Sequence, residues 1–285
     1  MNEFIITKSG IKVYKNYKDN ICCKDKCNKA LTDKAGMDRE KYKKGKAEGL
    51  SRFGSVSSED ALTWSVFRTL ENENRMSIFY HLLGIDDTLE RTIFWTRDTK
   101  TEKIDQVLQC VLNEIEPRNL WIQQTEPDVI LINKKTVVFN ESKLGYGCLN
   151  TKVLGWARSR KFGERHARYK NYLGGIFTDC FKKKFDDLGV KYYQLMRNMI
   201  IGKSYAEKLK KEFHLSVVVN ELNKPYQYSS HKDKFYEFSM LLLDKDKTHF
   251  TTWQEINRAV SKDSALNELG KYLKSHSCLR SCPII

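Results

Sequence analysis

No apolar run in the 285-residue sequence approaches the roughly 20 residues a bilayer-spanning helix needs, so no membrane partner is expected. The start, Met1 to Lys8, lacks the basic stretch followed by an apolar stretch that marks a secretory signal, and a cytoplasmic location is expected. No internal repeat and no low-complexity tract is visible. Acidic residues are in deficit, with 36 Asp and Glu against 50 Lys and Arg, which leaves a formal net charge of +14. An excess of that size favours a polyanionic partner through release of counterions from phosphates, and nucleic acid is the first candidate. A small-molecule phosphatase is disfavoured, because so much charge exceeds what a small ligand needs.

What is present fits a globular chain. A 40% hydrophobic and 12% aromatic content, over this length, can bury a substantial core as one large domain or as a core with an appendage. Eight cysteines need an explanation. Cys22, Cys23 and Cys27 cluster near one end and Cys278 and Cys282 near the other, while Cys110, Cys148 and Cys180 stand singly. Reduced thiols are the expectation in a cytosolic chain. A zinc site from Cys22, Cys27, Cys278 and Cys282 requires the ends to meet and has spacers of four and three residues where knuckles use two, so zinc is not expected.

Residues 1–50 read as a basic N-terminal arm with a short hairpin around Lys8-Ser9-Gly10, extended beyond it, and residues 51–285 as the main domain with a C-terminal helical extension. Order returns at Ser57-Ser58-Glu59-Asp60, where a hydroxyl cap with an acid three residues on opens a helix carrying Leu62, Val66 and Leu70. A second amphipathic helix is expected over 103–115, with a strand over Thr92 to Thr96 before it. A long helix near 190–212, a strand from Leu215, a further strand from Phe235 to Leu243 and two helices complete the chain; Thr252 with Glu255 forms a capping box. This order makes the fold class α/β, with a mixed core.

Leu120 to Lys143 carries the strongest strand signal, two β-branched apolar runs flanking Asn133-Lys134-Lys135, and is read as a hairpin. Side chains alternate along a strand, so Val137, Phe139, Glu141 and Lys143 share one face. A loop of two or four residues pairs positions whose numbers sum to a constant that sets Asp128 directly opposite Glu141; a three-residue loop sets it opposite Asn140. The four-residue loop is favoured, because Asn-Lys-Lys-Thr is poor chemistry for the tightest turns. Opposed carboxylates lie about 4.5–5.5 Å apart at Cβ and repel unless a cation sits between them. Hydrolysis of a phosphodiester requires such a cation, with hard oxygen ligands and a water made nucleophilic beside it.

Glu126-Pro127-Asp128, a strand, a turn, a second strand and Glu141-Ser142-Lys143 resemble the PD-(D/E)xK motif of restriction endonuclease-like nucleases. The resemblance implies a restriction endonuclease-like core, a central mixed β-sheet flanked by helices. It implies Mg2+, with Mn2+ able to substitute, held by Asp128, Glu141 and the main-chain carbonyl of Ser142, and it makes Lys143 the residue that orients or deprotonates the attacking water. It extends to Ser57–Trp64, similar to an early helix that offers another acid, here Glu59, and to Tyr193–Arg197, where a polar residue such as Gln194 approaches the site.

Plainer readings stand beside each of these. A second acid-x-Lys triplet, Asp98-Thr99-Lys100, serves as an internal control: no hairpin partner brings an acid into register with Asp98. Glu59 is favoured in a first helical turn whatever its function, and Gln194 and Arg197 share a face that could simply meet solvent. Arg158, Arg160, Lys161, Arg165, Arg168 and Lys170 interleave with aromatic residues downstream of the motif and, with Arg197, are the expected nucleic-acid contacts; basic runs are also ordinary solvated faces. His166 is not assigned a role. The expectation is a Mg-dependent endonuclease acting on double-stranded DNA, in restriction or defence, as a monomer or homodimer. An RNA-directed nuclease of the same fold and a catalytically inactive nucleic-acid-binding module are the alternatives.

Overall fold

The structure, a computed structural model, describes residues 3–7, 11–23, 28–43, 50–118, 124–144, 160–222 and 225–276, with side chains omitted at 37–43, 160–162, 165 and 225–230. β1 (Phe4–Ile6) and β2 (Lys12–Tyr14) form the expected N-terminal hairpin. Residues 29–43, read from the sequence as part of an extended arm, are instead a helix, α1 (Lys29–Lys43). Its apolar positions are few, but Ala30, Leu31 and Ala35 are all buried, and removal of that surface from water stabilises what local propensity alone leaves marginal.

After α1 come α2 (Glu59–Asn72), α3 (Ser77–Leu83), β3 (Leu89–Phe94), β4 (Arg97–Asp98), α4 (Gln106–Ile115), β5 (Val129–Asn133) and β6 (Thr136–Lys143). They are followed by α5 (Arg160–Arg168), α6 (Asp179–Lys183), α7 (Phe185–Lys191), α8 (Tyr193–Lys208), β7 (Glu212–Val219), α9 (Pro225–Ser239), β8 (Thr248–Thr252), α10 (Trp253–Val260) and α11 (Asn267–Ser275). The segment expected as a strand over Phe235–Leu243 lies mostly in α9. Phe235, Phe238 and Leu242, all buried, are spaced three and four apart, which is a helical period rather than a strand's. The true edge strand is β8, whose Thr-His-Phe-Thr-Thr carries little apolar signal.

Six strands form one sheet in the order β4-β3-β5-β6-β7-β8. Its first half is antiparallel, and β6, β7 and β8 run parallel. Parallel strands are covered on both faces, and in β7 every residue after Glu212 is buried, His214 and Ser216 included. On one face Ile130, Ile132, Val137, Phe139, Phe213, Leu215 and Val217 pack against α4, α8 and α9. On the other, Val129, Leu131, Val138 and Val218 pack against α1, α2, α3, α10 and α11. Gly202 of α8 lets that helix lie close to β7, since a Cβ there would run into the Phe213 ring. Among the described residues no helix is long and apolar enough to cross a membrane.

Candidate active site

The hairpin takes the four-residue register: Ile132 pairs with Val137, Ile130 with Phe139, and Val129 with Asn140. Asp128 therefore stands opposite Glu141, and its Oδ2 accepts a hydrogen bond of 2.8 Å from the Ser142 amide. The unfavourable turn is held from outside. Asp87 Oδ2 accepts from the amides of Lys135 and Thr136 at 3.0 and 2.9 Å and from the Thr136 hydroxyl at 2.9 Å. Burial works to raise the Asp87 carboxyl, but hydrogen bonds from Thr88, Lys135 and Thr136 outweigh it and hold the group below its ordinary value.

Glu141 is buried and heavily clamped. Its Oε1 accepts from Lys143 Nζ at 2.5 Å and from the Gln194 amide, and its Oε2 accepts from Asn198 Nδ2 at 2.9 Å. Gln194 and Asn198 lie one turn apart on α8, so a single face delivers both. Glu59 arrives from the opposite side of the sheet. The helix begins one residue later than the sequence suggested, with Ser58 as the cap accepting from the Ala61 amide at 3.2 Å. That leaves the Glu59 carboxylate free to accept from Lys143 Nζ at 3.2 Å and from the Leu144 amide at 2.7 Å. The sequence-predicted Asp128, Glu141, Ser142, Lys143, Glu59 and Gln194 are thus brought together.

Three residues of this neighbourhood went unnoticed in the sequence. Asn198 could have been found as the next polar position on the Gln194 face. Asp60 accepts from Trp95 Nε1 at 3.2 Å. Lys34, from α1, places Nζ 3.0 Å from Glu126 Oε2, and no local pattern announces a partner 92 residues away. A cavity of about 300 Å3 is lined by Lys34, Gln124, Thr125, Glu126, Glu141, Gln194, Arg197 and Asn198. A larger, mostly apolar groove between α3 and α10 lies apart from these acids.

Acids outnumber bases here. Asp128 is pushed well above the usual carboxylate range, first by burial and then by the charge of Glu141, with Glu59 and Asp60 adding to it and Lys143 opposing. Burial also raises Glu59, against the pull of Lys143, although its side chain keeps 32% of its exposure. Lys143 is depressed by its own burial but lifted further by Glu141, Glu59 and Asp128, and stays charged. Lys34 behaves alike, with Asp60, Glu126 and Asp128 outweighing burial. Among the described residues no three His, Cys, Asp or Glu side chains form a ready-made cage for a metal. Mg2+ asks for less, one or two carboxylates completed by waters and phosphate. Asp128 fits that demand: among the described residues its Oδ1 receives no hydrogen bond, and the repulsion from Glu141 is what a cation would relieve.

The other acid-x-Lys triplet behaves as the control should. Asp98 Oδ1 closes a turn, accepting from the amides of Lys100 and Thr101 at 2.9 and 2.7 Å, while Lys100 Nζ donates to the Glu90 carbonyl at 2.8 Å. Among the expected nucleic-acid contacts, Arg158 lies outside the described residues, as do the side chains of Arg160, Lys161 and Arg165. Arg168 donates to the carbonyls of Ile115 and Glu114 at 3.0 and 2.7 Å, binding the end of α4. Lys170 pairs with Asp186 at 2.9 Å. Arg197 lies 3.2 Å from Glu116 Oε1 and donates to the Thr125 hydroxyl. His166 stacks on Phe185 with ring centres 4.2 Å apart, and burial lowers its pKa. Cys22 and Cys23 are free thiols, while Cys27, Cys278 and Cys282, needed for the zinc arrangement, lie outside the described residues.

A mixed sheet flanked by helices, with an acid and an acid-x-Lys triplet in register across one hairpin, is a restriction endonuclease-like core of the PD-(D/E)xK type. Within that class, residues 5–276 match the family described as "Restriction Endonuclease associating with ARP", and the chain belongs to it. Comparison with curated proteins and with solved structures finds no match.

Proposed function

We propose that the protein is a Mg2+-dependent endonuclease that hydrolyses phosphodiester bonds of double-stranded DNA. The observation that carries this reading is the seating of Glu141, opposite Asp128 in the hairpin and 2.5 Å from Lys143 Nζ. Asp128, Glu141 and the Ser142 carbonyl would hold the ion. When bound, Mg2+ or Mn2+ supplies charge against the phosphoryl oxygens and acidifies a coordinated water. Lys143, kept charged by its acidic neighbours, would orient the attacking water and stabilise the negative charge left when that water loses its proton, and Glu59 fixes the lysine from the far side. Gln194 and Asn198 hold the Glu141 carboxylate in one rotamer, so that its geometry is set before substrate arrives. The net charge of +14 supplies affinity for the phosphate backbone. A role in restriction or defence against foreign DNA, in association with ARP as the family description words it, fits this chemistry.

The test incubates wild type and Glu141→Ala with plasmid DNA and with structured RNA, in Mg2+, in Mn2+ and with chelator. Metal-dependent nicking of DNA by the wild type alone is the expected result. Cleavage confined to RNA would move the substrate assignment, and equal activity in both proteins would remove Glu141 from the reaction.

A further inference from the structure

The hairpin motif does not use Lys34, yet its ammonium lines the same cavity as Glu141, Gln194 and Asn198. The side chain is only 14% exposed. It leaves α1 and crosses the face of Trp95, with Nζ 5.4 Å from the ring centre, a cation–π distance.

Trp95 is placed there at a cost. Together with Thr96 it makes the two-residue turn between β3 and β4, with φ of 47° and 78°. Turns of that shape ordinarily use Asn-Gly or Asp-Gly, because left-handed backbone crowds a bulky or β-branched side chain. A hairpin needing only to turn would not keep them. What the conformation achieves is the setting of the indole: parallel to Trp64 at 5.9 Å, edge-on to Phe53 at 5.6 Å, and donating through Nε1 to Asp60. Lys34 lies against the same ring.

A cation in this position would suit the proposed reaction. As water oxygen bonds to phosphorus and the ester P–O bond breaks, negative charge grows on the non-bridging and leaving oxygens. Lys143 is occupied between Glu141 and Glu59, and Arg197 is bound to Glu116 and Thr125. Lys34 is paired through one contact with Glu126, a residue of the loop leading into Asp128. We propose that Lys34 is a second catalytic lysine, whose ammonium donates to a non-bridging oxygen of the DNA phosphate bound beside Glu141, and that the strained Trp95 turn exists to aim it. This rests on the nuclease reading above.

The experiment compares wild type, Lys34→Met, Lys34→Arg, Glu126→Gln, the Lys34→Met/Glu126→Gln double variant and Glu141→Ala. Each is followed by kcat/KM on a duplex oligonucleotide in Mg2+, by the salt dependence of duplex binding in Ca2+, and by thermal melting. Methionine keeps the stem over Trp95 and removes the charge. Lys34→Met is expected to lose roughly 10- to 100-fold in kcat/KM, as loss of one preorganised donor implies. It should also flatten the salt slope by about one ion. Lys34→Arg should retain the slope and part of the rate. If the lysine were only the counter-ion of Glu126, the double variant would recover activity; a double variant as slow as Lys34→Met supports the proposal, and recovery overturns it. Should Lys34→Met melt well below wild type, the decision passes to Lys34→Arg and a further variant, Lys34→Gln: wild-type melting in both, with the slope and part of the rate kept in Lys34→Arg and both lost in Lys34→Gln, supports the contact, while equal rates in the two overturn it. An active wild type, an inactive Glu141→Ala and an unimpaired Lys34→Met would refute the role of Lys34 alone. A wild type that neither binds nor cuts the duplex would overturn both readings.

Discussion

Arg197 offers the sharpest test of whether charge in this protein faces the substrate or the interior. Read from the sequence it belongs with the nucleic-acid contacts, but in the fold it is the cationic member of a buried cluster. Glu116, with no side-chain exposure, accepts from the Thr125 amide and hydroxyl at 2.5 Å each, from the Tyr169 hydroxyl at 2.5 Å and from Arg197 at 3.2 Å. Carboxylates are tolerated in such surroundings only when neutralised and fully hydrogen-bonded. Arg197→Met preserves the aliphatic stem and strips the cluster of its charge, leaving Glu116 buried and uncompensated. Removing one partner of a buried pair costs about 3–5 kcal/mol, and removing both, in Glu116→Leu/Arg197→Met, should recover part of that loss. Urea denaturation at neutral pH reads the stability, and titration of a DNA duplex at several salt concentrations reads the phosphate contacts. We expect the single variant to lose stability on that scale and to keep the wild-type salt slope. A variant of unchanged stability whose slope falls by about one ion would refute the reasoning, because it would place the guanidinium on DNA.

Two further outcomes follow from the same geometry. Asn198→Ala removes one clamp from Glu141 while leaving Asp128 and Lys143 in place, and loss of such an outer support is expected to weaken metal affinity roughly 10-fold or more, measured as the Mg2+ concentration at half-maximal cleavage. Asp87→Ala releases the β5–β6 turn and should cost about 1–2 kcal/mol, allowing for the partial exposure of the carboxylate. Because Asp87 is held below its ordinary value, its contribution is fully present above the unfolded pKa of about 3.9 and disappears as pH falls through the lower folded value. The wild type should therefore lose its advantage over Asp87→Ala in acid, and a stability gap unchanged from neutral pH to pH 2 would contradict the assignment.

The hairpin and its register were legible because strands alternate and the two apolar runs leave few ways to close, so the opposition of Asp128 and Glu141 followed from counting. The capping box at Thr252 and Glu255 was equally readable, being a purely local arrangement. What escaped depends on distant parts of the chain. α1 has too little apolar sequence to announce itself and is stabilised by the core it enters. Lys34 meets Glu126 and Trp95 only in three dimensions, and Asp87 compensates a turn that its own residues disfavour. The aromatic and leucine residues from Phe235 to Leu243 gave a misleading strand signal, because composition outweighed the three- and four-residue spacing of the positions that are in fact buried.

The pairing of β6 with β7, and the docking of α8 across them, also bear on when a newly made chain can act. Gln194 and Asn198 are separated from Glu141 by 53 and 57 residues. At synthesis rates of about 5–20 residues per second, that delay is roughly 3–11 s. Until α8 has been made, Glu141 lacks the two side chains that fix its carboxylate, so the centre is completed only when the second half of the polypeptide has arrived.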